Sequence, residues 1–274
     1  MKKHVIVVLL IAFISACGGN ETAKEQVAVE EEVSIKGETV TYSSLTTEMK
    51  GYIAYDDASE EKRPGIIVVH EWWGHNDYTR ERADMLAELG YIALAVDMYG
   101  DGKQAMHPDD AGKFSSMVMS NIDEAKARFD AALATLKNNP YVDQEQIAAI
   151  GYCFGGSVVL SMANAGYDLD AVVAFHSGVQ LPIPPSTDIK AEILVANGAD
   201  DPFVSPESVV AYKMGMDEVG AEYTYIDYPG AVHAFTSKGA DALGEKFGLP
   251  LKYNEAADKA SWDEMKKLLN SVFN

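Results

Sequence analysis

The 274-residue chain has little that could hold it together covalently and little positive charge. Its only cysteines are Cys17 and Cys153, so at most one disulfide could form and a disulfide-stapled scaffold is excluded. Lysine and arginine number 22 against 42 aspartates and glutamates, for a net charge of −20. Such a surface repels phosphate backbones, which excludes nucleic acid as a partner, and the acid excess reads as a solubilising face. Long apolar runs are missing too. The longest, Val5 to Ile14, is about half of what a bilayer-spanning helix requires. Internal repeats are absent, as is any second linker, which points to one principal domain.

The apolar run has its own meaning. Lys2 and Lys3 precede it and small residues follow, the layout of a secretory signal peptide over residues 1–16. Ile14-Ser15-Ala16-Cys17 resembles the lipobox of bacterial lipoproteins. That resemblance implies cleavage before Cys17, a lipid on its sulfur, and an exported protein anchored to a membrane on the periplasmic side. Gly18 offers no obvious inner-membrane retention signal, which favours the outer membrane. Residues 17–32, "CGGNETAKEQVAVEEE", then read as the lipidated cysteine and a flexible acidic tether. Cys153 is left as a lone thiol, a liability in an oxidising compartment unless buried or used.

Residues 33–274 carry the fold. "ETVTYSS" and "MKGYIAYDD" alternate apolar with polar residues and predict two antiparallel strands. The chain then alternates between strand and helix. Strands are predicted over 65–70, 91–97, 147–152, 171–176, 192–198 and 221–228. Helices are predicted over 77–90 (with Gly90 as its stop), in two stretches reaching Asn138, near 155–165, over 206–219, and over 255–273 with Asn254 as cap. This alternation implies an α/β fold: a mainly parallel sheet covered by helices on both faces, with ligands at the carboxyl ends of its strands.

Cys153 lies there. In Gly151-Tyr152-Cys153-Phe154-Gly155-Gly156 it follows a strand and precedes a helix, the setting of a nucleophile elbow with cysteine in place of serine. The glycines allow close approach of the flanking backbone, and the helix N-terminus favours negative charge on the sulfur. An α/β-hydrolase needs an acid and then a histidine downstream. Asp200 and Asp201 both follow the strand over 192–198, and His233 follows the last strand. The imidazole could take the thiol proton while the acid orients it. Glu71 sits at the end of the first buried strand, and the Phe154 N–H with one from the Glu71 loop could form an oxyanion hole. "HEWWGH" is one residue too long for the H-E-x-x-H zinc helix, and His70 and His75 would not share a helical face. No metal or cofactor is called for.

"HEWWGHNDYTRERADMLAELGYIALAVDMYGDG", "GYCFGG", "GADDPFV" and "PGAVHAF" together resemble the dienelactone hydrolase family of α/β-hydrolases, from about residue 38 to the end. The resemblance implies a Cys153–His233–Asp201 triad, selecting Asp201 over Asp200 by its spacing from Gly198. It implies a Glu71 that contacts the resting thiol, and oxyanion-hole N–H groups on Trp72 and Phe154. It also implies a small-molecule ester or lactone as substrate. Where the family's lactone-binding arginine follows the histidine, this chain has Ser237 and Lys238, so the natural substrate does not carry over. Trp73, Tyr99 and Phe235, with Trp72 and Phe154, suggest an aromatic pocket. A non-catalytic binding lipoprotein on the same scaffold, and a thioesterase or peptidase, are the competing readings.

Overall fold

A computed structural model describes residues 33–274 and the backbone of His4–Val5. The expected signal peptide, Cys17 and the tether otherwise lie outside the described residues. Among the described residues nine strands form one sheet in the order β1-β2-β3-β5-β4-β6-β7-β8-β9. β1 (His4–Val5) pairs with β2 (Val33–Ser44), which forms an antiparallel hairpin with β3 (Thr47–Asp56). β3 pairs antiparallel with β5 (Ile92–Val96). From there β4 (Arg63–Val69), β6 (Val142–Tyr152), β7 (Ala171–Phe175), β8 (Glu192–Gly198) and β9 (Tyr223–Tyr228) are all parallel.

Continuous branched runs make the middle strands two-sided. Successive side chains of a strand point to opposite faces, so Ile66, Val68, Ala93, Ala95, Ala148 and Ile150 enter one core, while Ile67, Val69, Leu94, Val96 and Ala149 enter the other. Helices α1 (Asp77–Glu88) and α7 (Glu255–Phe273) cover the first face through Leu86, Met265 and Leu269. Helices α3 (Ile122–Lys137), α4 (Phe154–Asn164) and α5 (Pro206–Val219) cover the second through Phe129, Val159 and Met216. Each such side chain contributes about 1.5–3 kcal/mol on burial. Among the described residues the hydrophobic core is thus divided by the sheet.

Most element boundaries follow the sequence closely, but β2 and β6 each begin five residues before the stretches predicted as strands. Gly90 takes φ 92° just past α1, and the Asn254 side chain accepts from the Ala257 N–H to cap α7. Helix α2 (Pro108–Ser120) precedes α3, as the sequence predicts. Two elements were not foreseen: β1, which falls in the stretch read as a signal peptide, and α6 (Ala240–Phe247), eight residues ending at Gly248 with φ 65°. Helix α6 lies between the last strand and α7.

The strand order fixes where chemistry can occur. From β4 the chain moves outward to β5, then crosses back so that β6 lies on the other side of β4. This reversal opens a crevice at the carboxyl ends of β4 and β6. Glu71 follows β4 and Cys153 follows β6.

Candidate active site

Cys153 occupies a strained turn. Its backbone takes φ 53°, ψ −115°, a conformation that L residues seldom adopt and that persists only where the surroundings impose it. The strain falls on the cysteine itself, while its glycines solve a spatial problem. A Cβ on Gly151 would sit 2.1 Å from the Gly155 carbonyl oxygen, and one on Gly155 would sit 2.3 Å from that of Val69. The Cys153 N–H donates to the Phe175 carbonyl at 2.9 Å, tying the elbow to β7. Its side chain makes no capping hydrogen bond at the N-terminus of α4.

The acid and histidine meet as a pair. His233 Nδ1 lies 2.7 Å from Asp201 Oδ2, and the Phe203 N–H donates to Asp201 Oδ1 at 2.9 Å. The Asp201 carboxylate is fully buried, whereas Asp200 faces solvent. Cys153 adjoins the same imidazole closely enough to act on its charge. With Nδ1 occupied, Nε2 is the nitrogen left for the sulfur. Burial opposes a charge on His233, but Cys153 and Asp201 outweigh it and push its pKa up to about 10.

Glu71 is placed differently from the expectation. No hydrogen bond joins its carboxyl to the Cys153 thiol among the described residues. The side chain instead lines a 420 Å³ cavity with Trp73, Glu81, Arg82, Lys238 and Asp258. Burial pushes its pKa up to about 7, with His233 and Arg82 opposing through their positive charge.

Cys153 lies in a separate cavity of 610 Å³, lined by Trp72, Phe154, Ser116, Met119, Gln180 and Leu181 among others, none of them charged. Trp72 and Phe154 line it together with the thiol. Trp73, Tyr99 and Phe235 are not in this cavity, which corrects the expected aromatic pocket. Trp73 turns to the charged cavity and stacks on Phe247 at 6.0 Å. Phe235 points into the core beneath His176 and Tyr228, because Ala234 takes φ 58° and redirects the chain after His233. Tyr99 is fully buried and donates its hydroxyl to the Trp72 carbonyl at 2.9 Å. It braces the cavity wall without lining it.

A sequence model of the dienelactone hydrolase family matches residues 49–273. The chain belongs to the dienelactone hydrolase family. A relative from Aquifex pyrophilus, protein usf, is 31% identical over 207 residues, covering 74% of this chain and 88% of its own. A putative carboxymethylenebutenolidase from Aquifex aeolicus is 28% identical over the same shares. Among solved structures, a dienelactone hydrolase-like promiscuous phosphotriesterase from metagenomic libraries is 33% identical with a TM-score of 0.82, covering 88% of this chain and 99% of its own. As a member of this family the chain is a hydrolase of the α/β-hydrolase fold.

The dienelactone hydrolase frame leaves a buried polar network that sequence reasoning missed. Arg82 Nη2 donates to the Thr236 carbonyl at 2.5 Å and to Asp258 Oδ1 at 2.7 Å. Thr236 Oγ1 lies 2.6 Å from the Tyr78 hydroxyl and 2.7 Å from His176 Nε2. The network therefore grips the segment just after His233 from behind. A signal was available: Thr79, Arg82, Ala83 and Leu86 fall at core spacing on α1, so an arginine there has to find buried partners.

Proposed function

We propose that this chain hydrolyses uncharged carboxylic esters and lactones through an acyl-thioester on Cys153. The observation that carries the reading is a thiol on a strained elbow, close enough to the His233 of an Asp201–His233 pair to raise its pKa, in a cavity with no Asp, Glu, Lys or Arg among its lining residues. The sulfur attacks the carbonyl carbon, and its proton passes to His233, whose raised pKa holds it. The oxygen of the tetrahedral intermediate accepts from the Phe154 and Trp72 N–H groups. The C–O bond then breaks, the leaving oxygen takes the proton from His233, and the acyl group remains on sulfur. Water, deprotonated by His233, attacks the thioester. Collapse releases the carboxylic acid and returns the proton to the thiol.

Two features narrow the substrate. Arg82 and Lys238 line the other cavity, so a carboxylate-bearing lactone would find no arginine or lysine lining the cavity beside Cys153. A thiolate also leaves readily from the intermediate, so enol lactones and phenyl esters should react faster than alkyl esters, and amides slowest. The lipobox-like Ile14-Ser15-Ala16-Cys17 supports an exported enzyme, anchored through a lipid on Cys17.

The test is p-nitrophenyl acetate hydrolysis by the wild type and by Cys153→Ala, with mass analysis of quenched enzyme. The alanine variant should lose about 10³-fold or more in kcat, and an acetyl group should be trapped on Cys153 in the wild type. An alanine variant as active as the wild type would sink the reading.

A further inference from the structure

The carbonyl of Glu71 and the N–H of Trp72 belong to one peptide unit. In a trans peptide the two point in opposite directions, so whatever holds the carbonyl aims the N–H. His70 Nδ1 lies 2.5 Å from the Glu71 carbonyl oxygen, which also accepts from the Gly74 N–H at 3.1 Å. On the other side of the ring, Nε2 accepts from the Met98 N–H at 3.2 Å. A carbonyl can only accept and a backbone N–H can only donate, so the neutral ring with its proton on Nδ1 alone satisfies both. Burial, which lowers the pKa of the fully enclosed imidazole, favours that neutral form. The ring is fixed between Tyr99, 4.7 Å away edge-on, and Phe154, stacked at 5.6 Å. Tyr99 in turn holds the next peptide unit through the Trp72 carbonyl. Trp72 is therefore braced at both of its peptide planes.

We propose that His70 is a positioning residue: its Nδ1–H, held in that tautomer by Met98, turns the Glu71–Trp72 peptide so that the Trp72 N–H faces the substrate oxygen beside Cys153. The inference rests on the reading of Cys153 as nucleophile and of Trp72 as oxyanion donor. It gives the histidine before Glu71 a part in the reaction without contact to substrate. It also explains why a polar ring is enclosed here: leucine would leave the Met98 N–H without an acceptor and the Glu71 carbonyl held by the longer bond from the Gly74 N–H alone.

The experiment compares His70→Leu, which can neither donate nor accept, with His70→Gln, whose amide can do both. Two readouts separate aim from integrity: steady-state hydrolysis of p-nitrophenyl acetate, and alkylation of Cys153 by iodoacetamide, which forms no oxyanion. For His70→Leu, kcat should fall about 10–100-fold. KM and the alkylation rate should stay within about twofold of wild type, and His70→Gln should recover most of kcat. An unchanged kcat in His70→Leu overturns the proposal. So does alkylation that falls in step with hydrolysis, or a glutamine variant no better than leucine. Nitrogen NMR of the wild-type imidazole at neutral pH gives a check independent of variant folding: a proton on Nε2 overturns the proposal. Hydrolysis that survives Cys153→Ala removes the underlying reading, and the inference with it, by a separate measurement.

Discussion

Glu71 and Trp72 are adjacent in one loop yet face different cavities. Trp72 looks onto the thiol and a lining of serine, methionine, leucine and glutamine; Glu71 looks onto Arg82, Lys238, Glu81 and Asp258. The contrast shows how this end of the sheet divides its work. No Asp, Glu, Lys or Arg lines the space beside the sulfur, where such a fixed charge would select among substrates. Charge is concentrated behind the histidine segment, where it acts through the backbone of Thr236. The two spaces are linked by position, since His233 lies close enough to Glu71 to oppose its raised pKa.

The largest effect should come from breaking the charged side. Arg82 and Asp258 are 6% and 12% exposed in their side chains, so Arg82→Met leaves a buried carboxylate without its partner. It should cost about 3–5 kcal/mol in urea unfolding, and Asp258→Leu added to it should restore most of that. A stable single variant would mean that the charged cavity does not hold the histidine segment. Glu71→Gln should come next, with a dependence on pH. A carboxyl whose folded pKa is raised binds its proton more tightly folded than unfolded. Ionising it therefore destabilises the fold, beginning as pH rises past the ordinary carboxyl value and complete above the folded value of about 7. The glutamine variant should match wild type at low pH and gain a stability advantage of about 3 kcal/mol above neutrality. A difference that stays flat with pH would break the assignment. Smallest should be the effect of adding charge to the neutral side. Ser116→Arg should raise the rate on a carboxylate-bearing phenyl ester relative to p-nitrophenyl acetate by about fivefold, as suits one partly solvated ion pair. No change in that ratio would show that the cavity does not receive the acyl group.

What was legible in the sequence depended on whether a residue's neighbours in sequence are also its constraints. "GIIVVH" and "YIALAVD" read correctly as two-sided strands because unbroken burial leaves no polar position to misread. Cys153, Asp201 and His233 each follow a strand, so the crevice collects them however the loops run. The aromatics were different. Trp72, Trp73, Tyr99 and Phe235 are all near the carboxyl edge, but residue type does not say which way a loop side chain turns. Trp72 and Trp73 diverge within one step, and the positive φ of Ala234, invisible beforehand, sends Phe235 downward. His70 was considered only as a metal ligand because its backbone partners, Glu71 and Met98, come from two different strand ends. Helix α6 escaped because its eight residues are shorter than the stretch over which helical periodicity is read.

The backbone of Cys153 has a consequence for how the protein can change. At φ 53° and ψ −115°, glycine would be at ease where cysteine is not. Glycine would relax the elbow and abolish the thiol in one step. If the proposed chemistry holds, the most durable version of the protein and the working version are different sequences at this position. Any search that rewards thermal endurance alone would be drawn toward erasing the sulfur to which that proposal assigns the reaction.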